Sequence, residues 1–157
     1  AGTFLKKKLK LGLFNPLLIS IIVTMVVLII GKVDYESYNA GVQLFQEKKY
    51  NDCIPMFQQT VQENPDFGEA YMMMGRAFNS LQQYDQSIDN YQRARGIFKQ
   101  GKFNASVDYL PNDRKVKQIE EVWLPYSQIQ QKIQKGIPLT DIEIQKQEEI
   151  IKKLDLK

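Results

Sequence analysis

Residues 41–58 read GVQLFQEKKYNDCIPMFQ, and residues 75–92 read GRAFNSLQQYDQSIDNYQ. Offset by 34 positions, Gly41 falls on Gly75, Tyr50 on Tyr84, Ile54 on Ile88 and Gln58 on Gln92. Leu44 and Phe78, Cys53 and Ser87, and Phe57 and Tyr91 pair by character. A period of this size marks stacked supersecondary units, each unable to bury its apolar face alone. Gly41 and Gly75 lie inside apolar-periodic stretches, where glycine costs about 1 kcal/mol relative to alanine, so they imply close approach of a neighbouring helix. Cys53 and Ser87 are the small partners on the following helix, and Leu44, Phe57, Phe78 and Tyr91 are the large ones that fill the space. The spacing predicts helices over 34–47, 51–63, 67–81 and 85–100, with turns at Lys48-Lys49 and Gln82-Gln83. Asn64-Pro65 ends the first hairpin, and Asp66 with Glu69 forms an Asp-x-x-Glu cap for the next helix.

Residues 34–100, read this way, resemble two tetratricopeptide repeats. In the family's order of aromatic, Leu-Gly, Tyr, Ala, Phe and Pro, the first copy supplies Ser37, Ala40-Gly41, Leu44, Cys53, Phe57 and Pro65. The second supplies Tyr71, Met74-Gly75, Phe78, Ser87, Tyr91 and Ala94. Ser37 departs from the bulky aromatic, Pro55 enters the early turns of a helix, and Lys99 stands where a proline is due. The resemblance implies a concave groove lined by the first helix of each hairpin. Its ligand-facing positions match Tyr35, Tyr38, Val42 and Phe45 in copy one, and Glu69, Met72, Arg76 and Asn79 in copy two. The Lys and Asn with which some members clamp carboxylates are missing, Tyr38 and Val42 standing in the first copy. An aromatic-lined groove suits an apolar helix or an extended segment with apolar side chains. Tyr35 and Tyr38 equally suit a membrane-interface belt just past a span.

Toward the N-terminus, residues 11–31 carry no charge and follow a basic flank, residues 1–10, with Lys6, Lys7, Lys8 and Lys10. As a helix this stretch is about 31 Å long, matching a hydrocarbon core of about 30 Å, so a transmembrane helix is expected. Pro16 suits an early helical position, and the Ser20 and Thr24 hydroxyls can return to carbonyls one turn back. A cleaved signal peptide has the same grammar, but Val-Leu-Ile-Ile-Gly before Lys32 lacks the small-residue spacing of a cleavage site. The lysine cluster places the N-terminus on the cytoplasmic or matrix-like side, with the remainder across the membrane.

Toward the C-terminus no third repeat follows. Residues 101–113 read as a loop, and 114–157 as a capping helix with a helical tail. Val116, Ile119, Val122, Trp123, Tyr126, Ile129 and Ile133 form one apolar stripe over 114–135, kinked near Pro125. This helix is expected to cover the second hairpin, with Trp123 as its main anchor. Thr140 and Glu143 form a capping box opening the last helix, whose Ile142, Ile144, Ile150, Ile151 and Leu154 face more than one side and suit contact with another protein.

Histidine is absent and there is one cysteine, so zinc sites built on His or paired Cys, a Ser-His-Asp triad and a Cys-His pair are excluded by count. No phosphate-cradling glycine string occurs. Glu120-Glu121 and Glu148-Glu149 are adjacent helix residues pointing about 100° apart. From residue 33 onward 16 Lys and Arg face 18 Asp and Glu, which argues against a nucleic-acid surface. No catalytic residue, metal, cofactor or small-molecule substrate is expected. The expectation is an all-α, non-catalytic, membrane-anchored scaffold or accessory subunit whose partners are the bilayer and other subunits of a membrane complex. The alternative is an anchored receptor or assembly factor binding client peptides in its groove. Seventeen glutamines with many Ile, Lys and Asn suggest an A/T-rich eukaryotic genome, and hence a mitochondrial inner-membrane location.

Overall fold

The computed structural model describes residues 16–30, 33–101 and 111–154, apart from the side chains of residues 17, 26–30 and 33–35. Every described element is helical, and the chain forms two units, Ala1–Glu36 and Ser37–Lys157.

Helix α1, Pro16–Ile30, begins on the proline, whose missing N–H would have had no intrahelical partner. The Thr24 hydroxyl donates to the Ser20 carbonyl, one turn back. Its 15 uncharged residues span about 22 Å. Among the described residues no helix is long and apolar enough to cross a membrane. The basic flank 1–10 and positions 11–15 and 31 of the expected span lie outside the described residues.

Two helical hairpins follow, α2 (Val33–Gln46) with α3 (Tyr50–Glu63), and α4 (Gly68–Ser80) with α5 (Tyr84–Lys99). Their turns are copies of each other. Lys48 and Gln82 take left-handed backbones, φ 60° and 58°. Behind them the Lys49 N–H donates to the Leu44 carbonyl and the Gln83 N–H to the Phe78 carbonyl, each at 2.9 Å, closing the helix ends in the same way. The glycines mark the close crossings. A Cβ at Gly41 would sit 2.7 Å from the Phe57 ring, and one at Gly75 2.7 Å from the Tyr91 ring. Tyr38, Cys53, Phe57, Phe67, Ala70, Met73, Met74 and Ala77 form the first core, with Leu44, Tyr50 and Phe78 packed on it.

One local expectation is corrected. Glu69 does not fold back onto the start of its helix: Asn64 Oδ1 accepts the Asp66 N–H at 3.2 Å, the helix begins after Phe67, and Glu69 turns inward to pair with Lys115. Gly68 permits this, because the Phe98 ring lies where its Cβ would be, at 2.6 Å.

The C-terminal segment starts as α6 (Asn112–Gln118), passes through a π-helical turn (Ile119–Trp123), and continues as α7 (Leu124–Gln134). Residues 102–110 of the expected loop lie outside the described residues. The turn accommodates Pro125, which can donate no hydrogen bond and whose ring crowds the carbonyl four residues before it. Just upstream, the Leu124 N–H donates to the Ile119 carbonyl, five residues back. The stripe packs on α5 and α4 through a second core of Met72, Tyr91, Ala94, Phe98, Ile119 and Leu124. Trp123 is half-buried at its edge, stacked on Tyr91 at 6.2 Å, while Ile119 is fully enclosed. The fully enclosed anchor of the stripe is therefore Ile119, with Trp123 packed beside it rather than at its centre. Helix α8 (Asp141–Leu154) opens with the expected capping box: the Thr140 N–H donates to Glu143 Oε2 at 3.0 Å, and the Glu143 N–H to Thr140 Oγ1 at 3.3 Å. Ile150 is buried, and Ile142 is 79% exposed.

Candidate functional site

The positions expected to line a groove divide between core and surface. Tyr35 lies outside the described side chains. Tyr38 is buried between Phe57 and Phe67, with ring centroids 5.8 and 4.9 Å away. Val42 and Phe45 remain half-buried on the outside of that core.

In copy two, each position meets the C-terminal segment. Glu69, on the first turn of α4, is buried against Lys115 of α6, whose ammonium also lies 5.1 Å from the Phe98 ring centroid. Met72 joins the core that holds Ile119 and Leu124. Arg76 places its guanidinium 5.1 Å from the Phe45 ring centroid and 5.2 Å from that of Trp123. Asn79 Oδ1 lies 3.3 Å from Ser127 Oγ, which is itself 3.0 Å from Ser87 Oγ. The Ser87 hydroxyl donates to the Gly75 carbonyl at 2.9 Å, so this buried polar seam ties the glycine crossing to the capping helix. Val42, Phe45, Arg76 and Trp123, on α2, α4 and the π turn, are half-buried rather than enclosed.

Sequence reasoning missed Lys115 and Ser127. Neither has a local signal, because their partners are 46 and 40 residues away. Lys115 reads as one more cation in Arg-Lys-Val-Lys, and only its place four residues before Ile119 on the apolar stripe could have singled it out.

Burial pushes the Cys53 thiol up to about 11, and its sulfur donates to the Tyr50 carbonyl at 3.2 Å. The enclosed Tyr91 phenol is likewise raised by desolvation, opposed by Arg76. Glu120 is held below its ordinary value by Lys99 at 2.6 Å, with Arg95 also near, while Glu121 pairs with Lys117. These adjacent carboxylates serve separate surface pairs. Among the described residues no cluster of His, Cys, Asp or Glu could hold a metal ion.

A second exposed feature lies at the α7–α8 junction. Ile133, Ile137, Ile142 and Ile144 are 43–79% exposed, and outside α1 they are the large apolar side chains left open among the described residues. The junction is fastened from below by Ile150 and at the side by the Lys132–Glu143 pair.

Comparison with known proteins gives two partial likenesses. Residues 1–47 match the sequence model of the LrgB-like family, a stretch that contains α1 and α2. Over 64 residues the chain is 34% identical to Protein O-mannosyl-transferase Tmtc3 of Drosophila melanogaster, covering 41% of this chain and 7% of that protein. The chain thus spans a small fraction of the relative's length, and the activity in the relative's name belongs to the relative. No solved structure matches the chain significantly.

Proposed function

We propose that this chain is a non-catalytic adaptor of the tetratricopeptide type, anchored in a membrane through residues 11–31 and serving as a scaffold or accessory subunit of a larger membrane complex. The observation that carries this reading is the concentration of exposed isoleucines at 133–144 on an otherwise well-covered domain. Large apolar side chains exposed together mark a contact surface, and here they border a helix already fastened to its own domain. The partial likeness to Tmtc3 and the twofold hairpin geometry support the repeat assignment. A mitochondrial inner-membrane location, with the N-terminus on the matrix side, accompanies this reading through the lysine cluster and the composition.

The test is Ile142→Glu with Ile144→Glu in the full chain. Both side chains are exposed, so the melting temperature should hold while the chain leaves its high-mass complex on native electrophoresis. A chain that stays in the complex at fixed stoichiometry sinks the assignment of this patch.

A second reading is favoured by the strip Phe45, Arg76, Trp123. Aromatic and arginine side chains are enriched at binding hot spots, and these three are half-buried rather than enclosed. On this reading the inner face docks a protein segment, as a receptor or assembly factor would.

A further inference from the structure

Among the described residues, Arg76 is a cation held in place with no carboxylate in an ion pair with it. Its guanidinium lies between two ring faces, one from α2 and one from the π turn, at nearly equal distances. Stacking of this kind fixes the guanidinium plane and leaves its N–H edge to hydrogen-bond outward. Among the described residues its hydrogen bond is from Nη1 to the Met73 sulfur at 3.8 Å, a weak acceptor for a group with five N–H donors. The ion pairs seen among the described residues use other cations, and four of the carboxylates on neighbouring elements are paired elsewhere. Glu69 pairs with Lys115, Asp85 with Lys135, Glu120 with Lys99 and Arg95, and Glu121 with Lys117. One turn along α4, Asn79 uses its carbonyl oxygen toward Ser127, so its amide nitrogen is a second, neutral donor on the same side of the helix.

We propose that Arg76 recognises the carboxylate of an aspartate or glutamate side chain in a partner segment laid across α2, α4 and the π turn. Phe45 and Trp123 form the apolar walls on either side of the ion pair. Both rings are half-buried already, so a bound segment would dry the pair further and strengthen it. A planar, oriented guanidinium takes a carboxylate with two parallel hydrogen bonds, a geometry that a lysine cannot reproduce. The inference rests on the reading of the inner face as a protein-docking surface, and it names the chemistry of what docks.

The experiment selects phage-displayed random dodecapeptides on the full chain in lipid nanodiscs, in parallel with Arg76→Met and Arg76→Lys. Selected peptides should be enriched in Asp or Glu, and replacing that acid by its amide should weaken binding about 10- to 100-fold, the range for one charge-assisted hydrogen bond. Arg76→Met should bind acid and amide forms alike, and Arg76→Lys should retain part of the discrimination. Thermal unfolding followed by circular dichroism checks that both variants fold. Should Arg76→Met unfold, the acid-to-amide comparison on the native chain and on Arg76→Lys decides. Peptides selected without acid enrichment, or acid discrimination that survives in folded Arg76→Met, overturn the carboxylate assignment while leaving the docking face intact. Recovery of no peptide from the native chain overturns the docking face and this inference with it.

Discussion

Gly41, Gly68 and Gly75 each leave a space that an aromatic ring fills, and the rings of Phe57, Phe98 and Tyr91 are nearly or fully enclosed. An enclosed ring cannot swing away, so even a methyl group forces the helices apart. Gly75→Ala should cost about 1–3 kcal/mol by urea unfolding, and Gly75→Leu more. Gly96 is the internal control: it lies within α5, and a Cβ there would meet nothing within 4 Å. Gly96→Ala should be neutral or raise stability by up to about 1 kcal/mol. Equal effects at the two sites would show that helix propensity, not the crossing, sets the response. The Tyr91 hydroxyl is enclosed, with Ser87 as its polar neighbour but no well-formed hydrogen bond, so Tyr91→Phe should change stability by less than about 1 kcal/mol in the same assay, since it removes a desolvated polar group and keeps the ring. The glycine crossings were legible because each needs a small and a large residue at a fixed offset, and the sequence repeats both. The groove positions were less legible. The same spacing that lines a groove in a longer array also meets a capping helix in a short one, and Glu69 and Met72 are consumed in that contact.

At the scale of elements, the C-terminal segment departs most from its sequence pattern. The apolar stripe predicts one continuous helix kinked at Pro125; instead the strain is taken up ahead of the proline, in a five-residue wide turn. The size of the indole singled out Trp123 as the anchor, whereas the structure encloses Ile119 and leaves Trp123 half-buried, a ranking that spacings of three and four cannot give. The opening of α8 was fully legible, because the capping box is a local motif. Its strength can be read by titration. Glu143 is held down to about 2 by hydrogen bonds from Lys132 and from Thr140, against an ordinary value of 4.5. A carboxyl group lowered in the folded state contributes stability above its ordinary value and loses it as the pH falls through the folded one. Helix α8 should therefore loosen between about pH 4.5 and pH 2, seen as faster amide exchange at Thr140 and Glu143 relative to α5. Glu143→Gln should remove that pH dependence; unchanged exchange across this range would show that the pair does not hold the junction.

On the scale of the whole molecule, the all-helical class was legible from periodicity, whereas the proposed span rests on residues 11–31, of which the structure describes 16–30. If residues 11–31 span a bilayer, the Lys6–Lys10 flank and the domain from residue 33 onward lie on opposite sides. Protease added from one side of sealed vesicles should then cut only one of them. Cleavage of both from the same side would end the anchoring proposal. The two hairpins also share an unexploited reserve. Lys48 and Gln82 occupy the same left-handed position in successive turns, a conformation that costs a non-glycine residue about 1 kcal/mol. Both side chains are exposed, so neither is retained for packing. A laboratory wanting a hardier version of the domain for crystallisation would find its first two substitutions already marked: glycine at either turn should raise the melting temperature, and glycine at both should nearly double the gain, since each acts within its own hairpin.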